Sequence, residues 1–125
     1  MSQAVGALDI TFVCGATTLA AQQYHFITLF TDGTAIVCGA GGVVIGILQN
    51  TPAVGEAARV RVLGTSKLVM SDVCDELAQL KSIAGGTGLT VTTAKDWVGA
   101  IALEAATLAG DIIEVLITHT ICNTA

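Results

Sequence analysis

The groups in this chain able to do chemistry are few: two histidines, four cysteines and ten acids in 125 residues. His25 and His119 are the only side chains whose ordinary pKa lies near neutrality. His119 and Cys122, at i and i+3, are spaced to share a metal ion, but a metal site needs further ligands and no sequence neighbour supplies them. Cys14, Cys38, Cys74 and Cys122 include no C-x-x-C pair, which excludes a zinc ribbon or a thioredoxin-like motif. The four thiols read as small buried hydrophobes, with disulfides inside or between subunits as the alternative. No G-x-S-x-G, P-loop, H-E-x-x-H or dinucleotide fingerprint is present. The acids are scattered through turns and one acidic segment, a distribution of solvated carboxylates rather than a general acid and base pair. The chain is therefore not expected to be an enzyme, and no cofactor or metal is expected.

The elements that would carry these residues read mainly as strands. Asp9 to Cys14 is rich in β-formers, and Gln23 to Thr31 alternates aromatic and polar residues. Asp32-Gly33 is the strongest hairpin signal in the chain, and Thr34 to Cys38 continues as its partner strand. A glycine-rich loop, 39–42, precedes an apolar strand from Val43 to Gln49. Arg59 and Arg61 alternate with Val60 and Val62, so the strand Ala58 to Leu63 has one wet or interfacial side. A turn at Gly64 to Ser66 leads to a short strand, Lys67 to Met70, and Thr87 to Thr93 reads as another strand. The exception is 71–84. Ser71 is placed as an N-cap, Asp72, Asp75 and Glu76 fall in the first turn, and Val73, Leu77, Leu80 and Ala84 share one helical face before Gly85-Gly86. One short helix near residues 72–83 is expected there.

The last third echoes an earlier one. Val44-Ile45-Gly46-Ile47-Leu48 resembles Trp97-Val98-Gly99-Ala100-Ile101, each followed by a loop closed by glycine and an acid, Gly55-Glu56 and Gly110-Asp111. The β-rich segments 59–63 and 112–118 then follow. Two related hairpins closing a small β-barrel or β-sandwich, or a chance echo in an Ala/Val/Gly-rich chain, both account for this.

Composition bounds the rest. The length is that of one domain, 1–125. Charged residues are 12 % and hydrophobic ones 53 %, against the ~25 % charged typical of soluble domains. So few charges do not clothe a monomer, and much of the surface is expected to lie against other copies or a partner. A net charge of −5 with five basic residues excludes a nucleic-acid groove. The charge-free stretches are broken by Gln22, Gln23 and His25 or by glycines and Pro52, so no membrane span or signal peptide is expected. Tyr24, Phe26, Phe30 and Trp97 hold nearly all the aromatic surface and are either core or anchors at a subunit contact. Residues 1–8 are expected to form an extended N-terminal arm, with Ser2, Gln3 and Val5 as interface candidates.

One longer pattern is more specific. Gly46 to Val62, followed by Gly64-Thr65-Ser66-Lys67, resembles a family of small tailed-bacteriophage capsid proteins, the head decoration or cement proteins. The family's "tDGt" is matched by Thr31 to Thr34, and its closing "G.ALEaA.aGD...V.L" by Gly99 to Ala106 and Ala109-Gly110-Asp111. The blocks keep the family's order across residues 31–118, the decoration-protein-like β core. The chain departs from the pattern at 71–84, where the family has a Gly- and Ala-rich loop or strand, and in its four cysteines. The resemblance implies a non-catalytic structural protein of the virion. It would bind the major capsid protein on the outer surface of an icosahedral shell, sit there with other copies of itself as a trimer, and stabilise the shell. Assembly would take place in the host cytoplasm. In released particles Cys122, just beyond the final strand, is the cysteine placed to form a disulfide to a neighbouring subunit. The alternative reading is a small-ligand or metal-binding β-barrel built on His25, His119 and Cys122.

Overall fold

The computed structural model describes residues 7–92 and 95–121. The strands are β1 (Leu8–Val13), β2 (Phe26–Leu29), β3 (Ala35–Val37), β4 (Gly46–Leu48), β5 (Ala57–Leu63), β6 (Thr65–Val69), β7 (Gln79–Ser82), β8 (Gly88–Thr90), β9 (Trp97–Ala102) and β10 (Ile112–Ile121). They form two five-stranded sheets, ordered β1-β5-β4-β2-β3 and β6-β10-β9-β7-β8, with every neighbouring pair antiparallel. The fold is therefore mainly β, as expected, but neither sheet closes into a barrel. Asp32-Gly33 does turn β2 into β3, and the Arg59/Arg61 alternation does give β5 one buried and one open side.

The two sheets have the same topology. Read within each half, the strand order is first, fifth, fourth, second, third. The irregular backbone repeats as well. Tyr24 and Leu77, both non-glycine, have φ of 65, and each donates its N–H to the matching strand, at Leu48 and Ala102 (both 2.8 Å). Cys14 N–H donates to the Glu56 carbonyl and Met70 N–H to the Asp111 carbonyl (both 2.8 Å). Parallel bridges join Cys14 to Ala35 and Met70 to Gly88. The sequence echo is thus a structural repeat: β4 matches β9, β5 matches β10, and Gly55-Glu56 matches Gly110-Asp111. One detail differs. Gly46 lies opposite Ile27 and Ala100 opposite Leu80, so Ala100 is the partner of Gly46, and Gly99 is one residue out of register.

No helix forms at 71–84. Cys74 makes a β-bridge to Ala106, Leu77 is left-handed, and β7 pairs with both β8 and β9. The apolar stripe read as a helical face does not point one way: Leu80 is fully buried, whereas Leu77 is 74 % exposed. Within β7 the period is two, with Leu80 and Ser82 inside and Gln79 and Lys81 further out. A short amphipathic helix contributes little by itself. A hairpin ladder with β8, a second ladder with the more distant β9 and the burial of Leu80 outweigh it.

The halves stack front to back. The front of the second sheet, carrying Leu68, Leu80, Ala100 and Val115, is covered by Phe26, Cys38, Val44 and Ile47 from the back of the first. Phe26 and Val44 press closely on β9: a Cβ on Gly99 would lie 3.0 Å from the Phe26 ring and 3.1 Å from Val44. The front of the first sheet has a smaller core of its own, with Ile27, Leu48, Ala58 and Val60 capped by Cys14 and Leu19. Buried hydrogen bonds sew the junction. Gln49 Nε2 donates to Ser66 Oγ (2.8 Å), and Ser82 Oγ donates to the Cys38 carbonyl (3.0 Å).

Candidate interaction surfaces

The groups able to do chemistry are dispersed by this fold. A ring nitrogen of His25 lies 3.1 Å from the Gln23 carbonyl, and one of His119 lies 3.0 Å from the Ile45 carbonyl. Each imidazole is thereby tied to backbone. Cys14, Cys38 and Cys74 are free and buried, and burial raises the Cys38 thiol above its ordinary pKa. Cys74 stands in a β-bridge and not on a helix. Cys122 lies outside the described residues. Among the described residues no three of His, Cys, Asp and Glu are grouped to hold a metal ion.

The acids serve turns and ties. Asp32 accepts from the Thr34 hydroxyl (2.6 Å) and N–H (3.0 Å), which holds its carboxyl below the ordinary range. Asp111 is lowered likewise by the N–H groups of Thr107 (2.9 Å) and Leu108 (3.1 Å). Both are carboxylates fixed by local donors, which favours the charged form. Asp9 on β1 pairs with Arg61 (2.8 Å) and Arg59 (3.3 Å) of β5, and Lys81 on β7 with Asp96 (2.9 Å). Lys67 lies 5.8 Å from the centroid of the Tyr24 ring. Four of the five basic side chains thus act within the fold, and little positive charge is left over for the surface.

The aromatic candidates separate by burial. Phe26 is wholly buried at the junction of the halves and offers nothing to a partner, because β2 turns it onto β9. Tyr24 and Trp97 are half-buried against the same core, and the indole N–H of Trp97 is buried with no hydrogen-bond partner among the described residues. Phe30 alone is well exposed, at 56 %. It borders a groove of about 400 Å³ with Leu19, Ile36, Val37, Asp32 and Thr34. A second groove occupies an overlapping place in the other half, between Val73, Leu77, Thr90 and Ala105. Ser2, Gln3 and Val5, and most of the expected N-terminal arm, lie outside the described residues; Leu8 opens β1.

Several exposed aliphatic residues were not singled out from the sequence: Val13, Val54, Leu103, Leu108 and Ile112; Leu77, read there as part of a buried helical face, is exposed as well. Val54 and Leu108 had a readable signal, since a large aliphatic residue beside a glycine turn between two strands has no core to enter. Ile112 and Leu103 had none, because the apolar strand ends around them fit a buried strand equally well.

No family model matches the chain, and no curated protein matches it. Among solved structures it is similar to the head fiber gp8.5 N base of bacteriophage phi29, with a TM-score of 0.71 over 94 % of this chain and 98 % of that one, at 12 % identity. Nearly all of both chains is superposed, although few residues are shared. By architecture, this chain has the fold of a bacteriophage head fiber base.

Proposed function

We propose that this protein is a non-catalytic structural component of a phage virion, which docks on the outer surface of an icosahedral capsid through the major capsid protein and stabilises the shell. The observation that carries this reading is the end-to-end fold likeness to the head fiber base. The decoration-protein resemblance across residues 31–118 reaches the same place by a separate route, from sequence. The surface suits that work. It is poor in charge, its basic side chains are largely engaged within the fold, and large aliphatic residues stand exposed on both sheets. A function of this kind comes from buried area, for which ~1,600 Å² in total suffices, and many identical copies on one lattice add avidity. Copies are expected to meet as trimers on the shell, assembled in the host cytoplasm, with the N-terminal arm (Ser2, Gln3, Val5) and Phe30 among the contacts.

The test is add-back. Purified protein mixed with shells of its own phage lacking it should co-sediment at a saturable, fixed ratio to the major capsid protein and raise the temperature at which shells break open. Absence of co-sedimentation, with the protein shown to be folded, overturns the reading. A Cys122 disulfide between subunits would give a ladder on non-reducing electrophoresis of released particles that collapses with reductant. A monomer band alone would remove that element.

A further inference from the structure

The second half carries a groove at a place that the first half fills with Leu19. In each half a loop runs from the first strand to the left-handed residue, Cys14 to Tyr24 and Met70 to Leu77. Each loop donates an N–H to the loop joining the fourth and fifth strands: Leu19 to the Pro52 carbonyl (3.0 Å) and Cys74 to the Ala106 carbonyl (3.1 Å). Cys74 therefore holds the place of Leu19. Leu19 is almost completely buried and caps the core of the first half. The second loop is shorter and puts a smaller side chain there. A groove of about 600 Å³ stays open beside it, with Cys74 and Ala106 at its floor and Val73 and Leu77 at its edge, 52 % and 74 % exposed.

The margin of this groove is acidic. Asp75 and Glu76 line it, and Asp72 and Glu104 adjoin its lining residues in the chain; all four are exposed. None of the four takes part in an ion pair among the described residues, and no lining residue is basic. The matching loop of the first half, 15–23, carries no charge at all. An apolar floor within a carboxylate margin selects a partner that brings an aliphatic side chain and positive charge together. Facing an apolar surface, the carboxylates would lose water without replacement; facing Lys or Arg, they gain charge-assisted hydrogen bonds. A second copy of this chain does not supply that charge, because four of its five basic side chains are engaged within the fold.

We propose that this groove is the face by which the protein docks on the shell, and that its occupant is a segment of the major capsid protein in which Lys or Arg flanks an aliphatic side chain. Resting on the capsid-binding reading above, this assignment gives it a site and a partner chemistry. Solitary exposed aliphatics need no explanation, but Val73 and Leu77 border one groove with a polar margin, the anatomy of a protein contact. Charge across such a margin fixes the partner and speeds encounter, and salt weakens it.

The experiment titrates the full chain onto shells of its own phage lacking it and reads the half-saturating concentration by co-sedimentation. The variant Asp75→Asn with Glu76→Gln should raise that concentration about tenfold, with unchanged circular dichroism, and should flatten its rise with sodium chloride. Leu77→Asn keeps a residue that tolerates the left-handed backbone, changes no charge, and should also weaken docking about tenfold. Ala40→Lys with Thr120→Lys, both exposed and outside the groove lining, makes the same change in net charge and should leave docking within about twofold of the wild type. Glu76→Gln alone replaces the double variant should that fail to fold. Wild-type docking undiminished by the groove variants overturns the assignment and leaves the capsid reading standing, as does an equal loss in the control. Groove variants that dock normally but lose self-association in sedimentation without shells give the groove to a second copy and overturn it too. A wild type that does not co-sediment overturns the capsid reading itself.

Discussion

At the scale of single residues, the side chains that look most functional are mostly structural. Phe26, the aromatic most deeply placed, holds the halves together: it is fully buried and touches β9 where Gly99 leaves room for its ring. Phe26→Ala should cost about 3–5 kcal/mol in urea denaturation, as for other large-to-small changes at buried aromatics. That is a large part of the ~5–15 kcal/mol a domain of this size has in hand. A loss below about 1 kcal/mol would mean that the junction does not depend on this ring. The turn carboxylates titrate in a definite direction. Asp111 is lowered in the folded state by the N–H groups of Thr107 and Leu108. Its contribution is present above the unfolded pKa and fades as the pH falls toward the lowered folded value. Asp111→Asn should flatten the decline of stability as the pH falls below the ordinary carboxylate range, read as melting temperature against pH. An acid branch as steep as that of the wild type would show that other groups govern it.

At the scale of elements, the segment 71–84 is where local pattern and final structure part. A capping serine, acids in the first turn and an apolar stripe all favour a helix there, yet none of them registers that β8 and β9 are waiting to pair with Gln79 to Ser82. Leu77 is the sharpest probe of the difference. Its φ of 65 places a γ-branched residue in the left-handed region, a conformation that costs an L-residue about 1–2 kcal/mol and glycine almost nothing. Leu77→Gly should therefore stabilise the chain by a few tenths to about 1 kcal/mol, after the greater freedom of glycine in the unfolded state is subtracted. In a helix the same change would destabilise by about 1 kcal/mol, so the sign of the shift in denaturation midpoint discriminates. Denaturation at sub-micromolar protein keeps any association of copies out of the measurement.

At the scale of the molecule, the two repeats are joined into one cooperative body. Phe26, Cys38, Val44 and Ile47 from the first half lie in the same core as Leu68, Leu80, Ala100 and Val115 from the second. Opening the first half uncovers the apolar front of the second, and opening the second uncovers Phe26, Val44 and Ile47 on the back of the first. Calorimetry should accordingly show a single transition with equal calorimetric and van't Hoff enthalpies. Two separated transitions would mean that the shared core contributes less than the cores of the halves. The dependence is unequal. The first half has its own cluster around Ile27, Leu48 and Val60, whereas the front of the second half is buried by the first.

The sequence by itself determined that the chain is mainly β, the hairpin at Asp32-Gly33 and the two-sided character of β5, and it raised the echo between the β4-β5 and β9-β10 segments that the structure shows to be a repeat. These rest on near neighbours: a turn dipeptide, a period of two, a glycine and an acid closing a loop. It also showed that no familiar catalytic motif is present. Only the tertiary structure decided that 71–84 is not helical, that Tyr24 is left-handed, that Phe26 is buried while Phe30 is not, and that the repeats stack front to back. Each of those depends on which strand arrives to pair and which face it covers. Such contacts join residues far apart in the chain, and the apolar pattern of a strand buried on both sides reads the same whichever side meets a partner.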